Sequence, residues 1–151
     1  MYEYLDRDIT GLDIGARFLI RAIRNWRIAV ENRGCPAAEV VSAFERHGVM
    51  DALPHFHLAM MILRRHGVQR LDFGDPASTM AHEGEALVIA LVADMNRVTP
   101  VQARATVVLL VDRQWVGSLH VALAALAGRM SDAGFAPQRQ LGLALPSADG
   151  A

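Results

Sequence analysis

The stretch from Ala105 to Met130 carries almost no charge along its length. Before Arg129, its only charged residues are the neighbouring Asp112 and Arg113. A segment this apolar has to be buried in a protein core, in a membrane or against a partner. A membrane-spanning helix needs about 20 uninterrupted apolar residues. The charged pair therefore argues against a membrane span and favours a protein core.

Apolar residues recur at spacings of three and four through most of the chain, which is typical of amphipathic helices. The first such stripe runs from Leu12 to Asn32. Capping and turn residues predict that further helices begin near Pro36, at an Asp51 N-cap, at Ser78 or Thr79, and at Thr99. Residues 86–93 are apolar at every position. The pattern therefore predicts an all-α, single-domain bundle of five or six helices around a central helix at about 84–95.

Two segments depart from the helical spacing. In 68–73 and 141–145, apolar residues alternate with other residues, as in extended strands. We predict that these segments pair as a minimal two-stranded ribbon beside the helices. Residues 1–146 then form one domain, and the small, polar residues 147–151 form a frayed tail.

Asp112 interrupts the long apolar run. On one continuous helix it lies beside Val108 and Trp115, where a buried, unpaired carboxylate costs several kcal/mol. Either Asp112 joins a buried polar network with an Arg or a His, or the helix breaks and Asp112 caps a final helix. We favour the break, because capping explains this residue without a further partner.

The same run offers a second apolar face. On a helical wheel, four residues fall away from the main stripe of Val108, Trp115, Leu119 and Leu126. They are Val107, Leu110, Val111 and Val121. A second apolar face requires a second partner. We therefore expect a non-enzymatic interaction or regulatory protein that acts as a homodimer.

Composition indicates the size of the domain, the kind of genome that encodes it and its cellular location. The chain has 151 residues, which is enough for one hydrophobic core, and a formal net charge of −1. All of its basic residues are Arg, a bias that a GC-rich bacterial genome produces. A single cysteine and an acidic N-terminus without a signal-peptide pattern favour the cytoplasm. We expect no membrane partner.

Four residues are candidates for a metal or small-ligand site. They are His57, His82, Glu83 and Cys35, which carry the side-chain types that bind metals. Their spacing matches no metal-binding motif, and the sequence contains no phosphate loop, nucleophile elbow or other catalytic motif. No cofactor is evident, and the sequence leans against an enzyme.

Arginines form a stripe on the predicted first helix. Arg17, Arg21 and Arg24 share one side, and Arg27 lies nearby. Guanidinium groups suit phosphate geometry, so this side is a candidate for binding phosphate or nucleic acid. The alternative is an ordinary solvated helix face with an Arg27–Glu31 pair. The net charge makes nucleic acid the least favoured partner.

Overall fold

The computed structural model describes residues 4–138, and within them the chain folds into six α-helices with no β-sheet. The helices are α1 (Ile14–Glu31), α2 (Pro36–Arg46), α3 (Leu53–His66), α4 (Glu83–Met95), α5 (Pro100–Val107) and α6 (Val116–Asp132). Short 3-10 turns lie at Ile9–Gly11, Met50–Ala52 and Arg113–Trp115. The predicted all-α bundle is confirmed.

The fourth helix lies at the centre of the bundle, as predicted. Every residue from Gly84 to Ala93 is buried. Helices α1, α5 and α6 contact it, while α2 and α3 pack against α1 and α6. A helix that is apolar on all sides is stable in water only when its neighbours cover all of those sides.

Two helix starts differ from the prediction. Helix α4 begins at Glu83 because its N-cap is His82, whose backbone N–H donates to the Glu85 carboxylate at 2.9 Å. Asp51 lies within a 3-10 turn and does not cap α3. The capping box before α5 is confirmed, because the N–H of Gln102 donates to the Thr99 hydroxyl at 3.2 Å.

The long apolar run consists of two helices joined by a corner. Helix α5 ends at Val107 and α6 begins at Val116. Between them, Val111 forms a β-bridge with Gly67 at the end of α3. This pairing takes up backbone hydrogen-bonding groups that would otherwise continue the helix, so the chain turns here.

The segment 68–73 forms no strand, so the predicted ribbon is wrong for this segment. An isolated β-bridge forms at Gly67, the residue before it. The other half of the predicted ribbon, 141–145, lies outside the described residues, as does the predicted tail 147–151. Residues 71–75 form an irregular segment between α3 and α4, and the N–H of Gly74 donates to the buried Glu85 carboxylate at 2.9 Å.

Candidate functional site

The outward side of α6 is free of charge along most of the helix. Gly117, Val121, Ala124 and Gly128 follow one another at spacings of four, three and four, so they lie on one side of the helix. Val121 is 65% exposed and Ala124 is also exposed, while the two glycines are partly exposed. These four residues are the α6 outer face.

The buried side of α6 holds the helix in one rotation, so that the α6 outer face points away from the core. Leu119, Leu123 and Leu126 are fully buried, and α3 and α4 pack against the helix. Burying a leucine side chain is worth roughly 1.5–3 kcal/mol, so a rotation that turned Val121 inward would be strongly unfavourable. The α6 outer face therefore stays at the surface of this chain.

Within residues 4–138, little lies above the two glycines of the α6 outer face. A Cβ added to Gly128 would meet no described heavy atom within 4 Å, and one added to Gly117 would meet only the Arg104 guanidinium, at 3.9 Å. Neither glycine has a positive φ. Because neither position carries a side chain, each leaves room for another backbone to approach closely.

Unpaired charges of opposite sign flank the α6 outer face. Arg113 lies in the 3-10 turn before α6, and Asp132 is the last residue of the helix. Both are exposed. Within residues 4–138, neither side chain takes part in an ion pair or a hydrogen bond. The face thus has a cation at one end and an anion at the other.

The apolar face predicted on the long run is wrong for two of its four members. Val107 and Val111 are buried in the core, and Leu110 is half-buried beside a groove of about 190 Å³. Val121 is exposed, and so is Val108, which the wheel placed on the inward stripe. The wheel assumed one helix, but the corner between α5 and α6 changes the direction in which these side chains point.

Asp112 belongs to no buried polar network. It is exposed and occupies the N-cap position of the 3-10 turn before α6, whereas the N-cap of α6 is Trp115, so the predicted break is confirmed but Asp112 does not cap the final helix. Its backbone carbonyl accepts the Trp115 N–H at 2.9 Å, whereas its carboxylate makes no capping hydrogen bond. The break in the helix therefore exposes the carboxylate, which removes the cost of burying it.

The predicted metal ligands are not brought together. No three His, Cys, Asp or Glu side chains in the described part of the chain converge as a metal site would require. Cys35 is exposed at the N-cap of α2, and Glu83 is exposed at the first position of α4. The ring of His82 lies 3.2 Å from an Asp72 oxygen and 3.1 Å from the Ser78 hydroxyl.

His57 accepts a hydrogen bond from a core tryptophan. The indole Nε1–H of Trp26 donates to His57 Nδ1 at 3.0 Å. Because an indole nitrogen can only donate, Nδ1 carries no proton in this arrangement. Burial lowers the pKa of His57 below its ordinary value. The fold therefore holds this imidazole in its neutral form.

The four arginines on α1 differ in their contacts, because two of them form ion pairs and two do not. Arg24 is buried and pairs with the buried Glu85, its Nε lying 2.6 Å from a carboxylate oxygen. Arg27 pairs with Glu31 at 2.8 Å. The Arg27–Glu31 pair predicted as the alternative is confirmed, whereas the prediction that Arg24 belongs to an open cationic face is wrong; Arg17 and Arg21 remain without an ion-pair partner in the described chain. Sequence periodicity missed Glu85 as the partner of Arg24, although it is the one charged residue within the buried part of α4.

Comparison with protein-family models, with curated proteins and with solved structures finds no match to this chain. Among the described helices, none is both long enough and apolar enough to cross a membrane.

Proposed function

We propose that the protein is a non-enzymatic interaction protein that acts as a homodimer, with the α6 outer faces of two copies in contact. The observation that carries this proposal is the exposed apolar surface around Val121, with glycines at positions 117 and 128, where the only described group near an added Cβ is the Arg104 guanidinium beside Gly117. Small residues allow two helices to approach closely, near the lower end of the usual interaxial range of about 8–10 Å.

A twofold axis gives this contact a specific register. When the axis is perpendicular to α6, the two copies place their α6 helices antiparallel. With the axis passing between positions 122 and 123, Gly117 of one copy lies opposite Gly128 of the second, and Val121 lies opposite Ala124. The surface is thus complementary to itself, as a contact between identical subunits requires.

The same register pairs the flanking charges. Arg113 of each copy lies opposite Asp132 of the other, so both ends of the contact join unlike charges. A parallel arrangement would instead place like charges together. Exposed ion pairs contribute only about 0–1 kcal/mol. In this proposal they select the antiparallel orientation of the two helices, while the apolar contact supplies most of the affinity.

Val121→Glu tests the proposed contact against a matched control. A carboxylate at position 121 would lose its hydration in the dimer without gaining a partner. We expect the dimer dissociation constant to rise by at least about tenfold, which corresponds to roughly 1.4 kcal/mol. Val101→Glu places the same charge at another exposed valine, on α5, and should leave the constant unchanged. A wild-type chain that sediments as a monomer at micromolar concentration would overturn the proposal.

A further inference from the structure

A cationic cavity lies between α1 and α2, away from the α6 outer face. Its volume is about 230 Å³. It is lined by Ile14, Arg17, Phe18, Arg21, Ala43, Arg46 and His47. Three of the seven residues are arginines and none is a carboxylate. The arginines come from both helices, so the folded structure, rather than one helix alone, gathers the charges.

These three guanidinium groups have no counterion within the described chain. Arg17, Arg21 and Arg46 take part in no ion pair there, and their side chains make no hydrogen bond to residues 4–138. The Nε of Arg17 is buried without an acceptor. Arg24 and Arg27 on the same helix are both paired. Like charges around one cavity repel one another, so a bound anion would relieve an existing repulsion.

The wall of the cavity also offers apolar and aromatic contacts. Phe18 is almost fully buried, and the His47 ring packs on it with the ring centroids 4.8 Å apart. Nδ1 of His47 lies 3.0 Å from the carbonyl oxygen of Ala43. Because a carbonyl can only accept, Nδ1 carries the proton in this arrangement. The cavity therefore suits an anion that carries an apolar group.

We propose that this cavity binds the phosphoryl group of a small organic phosphate. A phosphate monoester carries about 1.5 to 2 negative charges at pH 7 and three acceptor oxygens. Guanidinium groups bind such oxygens in a bidentate manner. On α1, the pairing of Arg24 and Arg27 leaves Arg17 and Arg21 as the cations available to a ligand, and Arg46 joins them from α2. A cavity of about 230 Å³ holds a small phosphate, whereas a polynucleotide needs phosphate contacts along an extended basic surface, which a chain of net charge −1 does not favour.

Phenyl phosphate is the probe for this site, titrated calorimetrically into the full chain at low ionic strength. Arg21→Gln and Arg46→Gln change exposed residues, so the fold should persist. Each should weaken binding by about tenfold, because a charge-assisted hydrogen bond is lost. Arg70→Gln removes one exposed charge elsewhere and should leave binding unchanged. Phenol should not bind, and inorganic phosphate should bind more weakly than phenyl phosphate.

Three results would overturn the proposal of a phosphate site. One is the absence of saturable binding of phenyl phosphate. Another is equal weakening by Arg70→Gln, which would show a general charge effect. The third is strong, salt-sensitive binding of a single-stranded oligonucleotide without binding of phenyl phosphate. Val121→Glu should bind phenyl phosphate as the wild type does, so failure of the proposed dimer and failure of this site are distinguishable.

Discussion

Arg24 and Glu85 form a doubly hydrogen-bonded ion pair inside the bundle. The guanidinium Nε lies 2.6 Å from one carboxylate oxygen, and a terminal nitrogen lies 2.9 Å from the other. Arg24 also donates to the backbone carbonyls of Ser78 and Met80, and Glu85 accepts the N–H of Gly74. The pair therefore attaches the loop before α4 to both α1 and α4.

Removing one member of this pair should destabilise the fold strongly. Glu85→Leu leaves the Arg24 guanidinium buried without a counterion, and we expect it to lower the free energy of unfolding by about 3–5 kcal/mol. Urea unfolding at neutral pH measures the change. Glu31→Gln removes an exposed partner of Arg27 and should cost less than about 1 kcal/mol.

A double-mutant cycle separates the ion pair from the packing around it. Arg24→Met combined with Glu85→Leu replaces both charges with apolar groups, so the double variant should lose less stability than the sum of the two single losses. Strictly additive losses, or a Glu85→Leu loss no larger than that of Glu31→Gln, would show that the buried pair has no such role.

His57 should make stability depend on pH. Burial places the pKa of His57 in the folded state below its ordinary value of 6.5. As the pH falls below about 6.5, the unfolded chain therefore takes up more protons than the folded one, and the free energy of unfolding decreases until the folded pKa is passed. Protonation at Nδ1 would also break the bond from Trp26.

Urea unfolding between pH 7 and pH 5 tests this dependence. His57→Gln removes the titrating group and should reduce the loss of stability across that range. His55→Gln changes a neighbour on the same helix and should leave the loss as it is in the wild type. The same loss in the His57→Gln variant would assign the pH dependence to other groups.

Gly15 allows the end of the described chain to lie across α1. A Cβ at this position would overlap the Phe135 carbonyl oxygen and lie 2.8 Å from the Pro137 nitrogen. Two hydrogen bonds hold the same segment, because Tyr4 Oη donates to the carbonyl of Gln138 and the N–H of Gln138 donates to Asp13 at 2.9 Å. The contact is therefore between backbones.

Gly15→Ala should destabilise the protein by about 1–3 kcal/mol, the usual cost of overpacking. Gly11→Ala provides the control, because an added Cβ there would meet nothing within 4 Å, and it should change stability by less than about 0.5 kcal/mol. Thermal unfolding of both variants gives the comparison. Equal stability of the two variants would mean that the segment shifts without loss.

Hydrophobic spacing predicted the bundle because burial of apolar surface dominates its stability. The uninterrupted apolar stretch in α4 correctly marked the central helix, and the Thr99 capping box marked the start of α5. These features depend on neighbours along the chain. Local pattern therefore predicted these helices and the centre of the core, although the alternating pattern at 68–73 wrongly predicted a strand.

The candidate sites could not be predicted in the same way, because they depend on contacts between distant positions. Arg24 resembles a solvated arginine until Glu85, 61 residues away, is placed beside it. Val107 and Val111 were predicted to lie on an exposed face but are buried, because a backbone pairing with the end of α3 turns the chain between α5 and α6. The spacing of Gly117, Val121 and Gly128 was visible in the sequence, but its exposure required the packing of α6.

Sedimentation equilibrium of four chains tests the proposed antiparallel dimer most directly. The chains are the wild type, Arg113→Asp, Asp132→Arg and the double exchange. Both positions are exposed, so the folded monomer should survive each change. We predict a wild-type dimer that each single substitution weakens by a few fold, as expected for exposed charges, and that the double exchange restores. A monomeric wild type, or a double exchange no tighter than the single variants, would contradict the proposed contact.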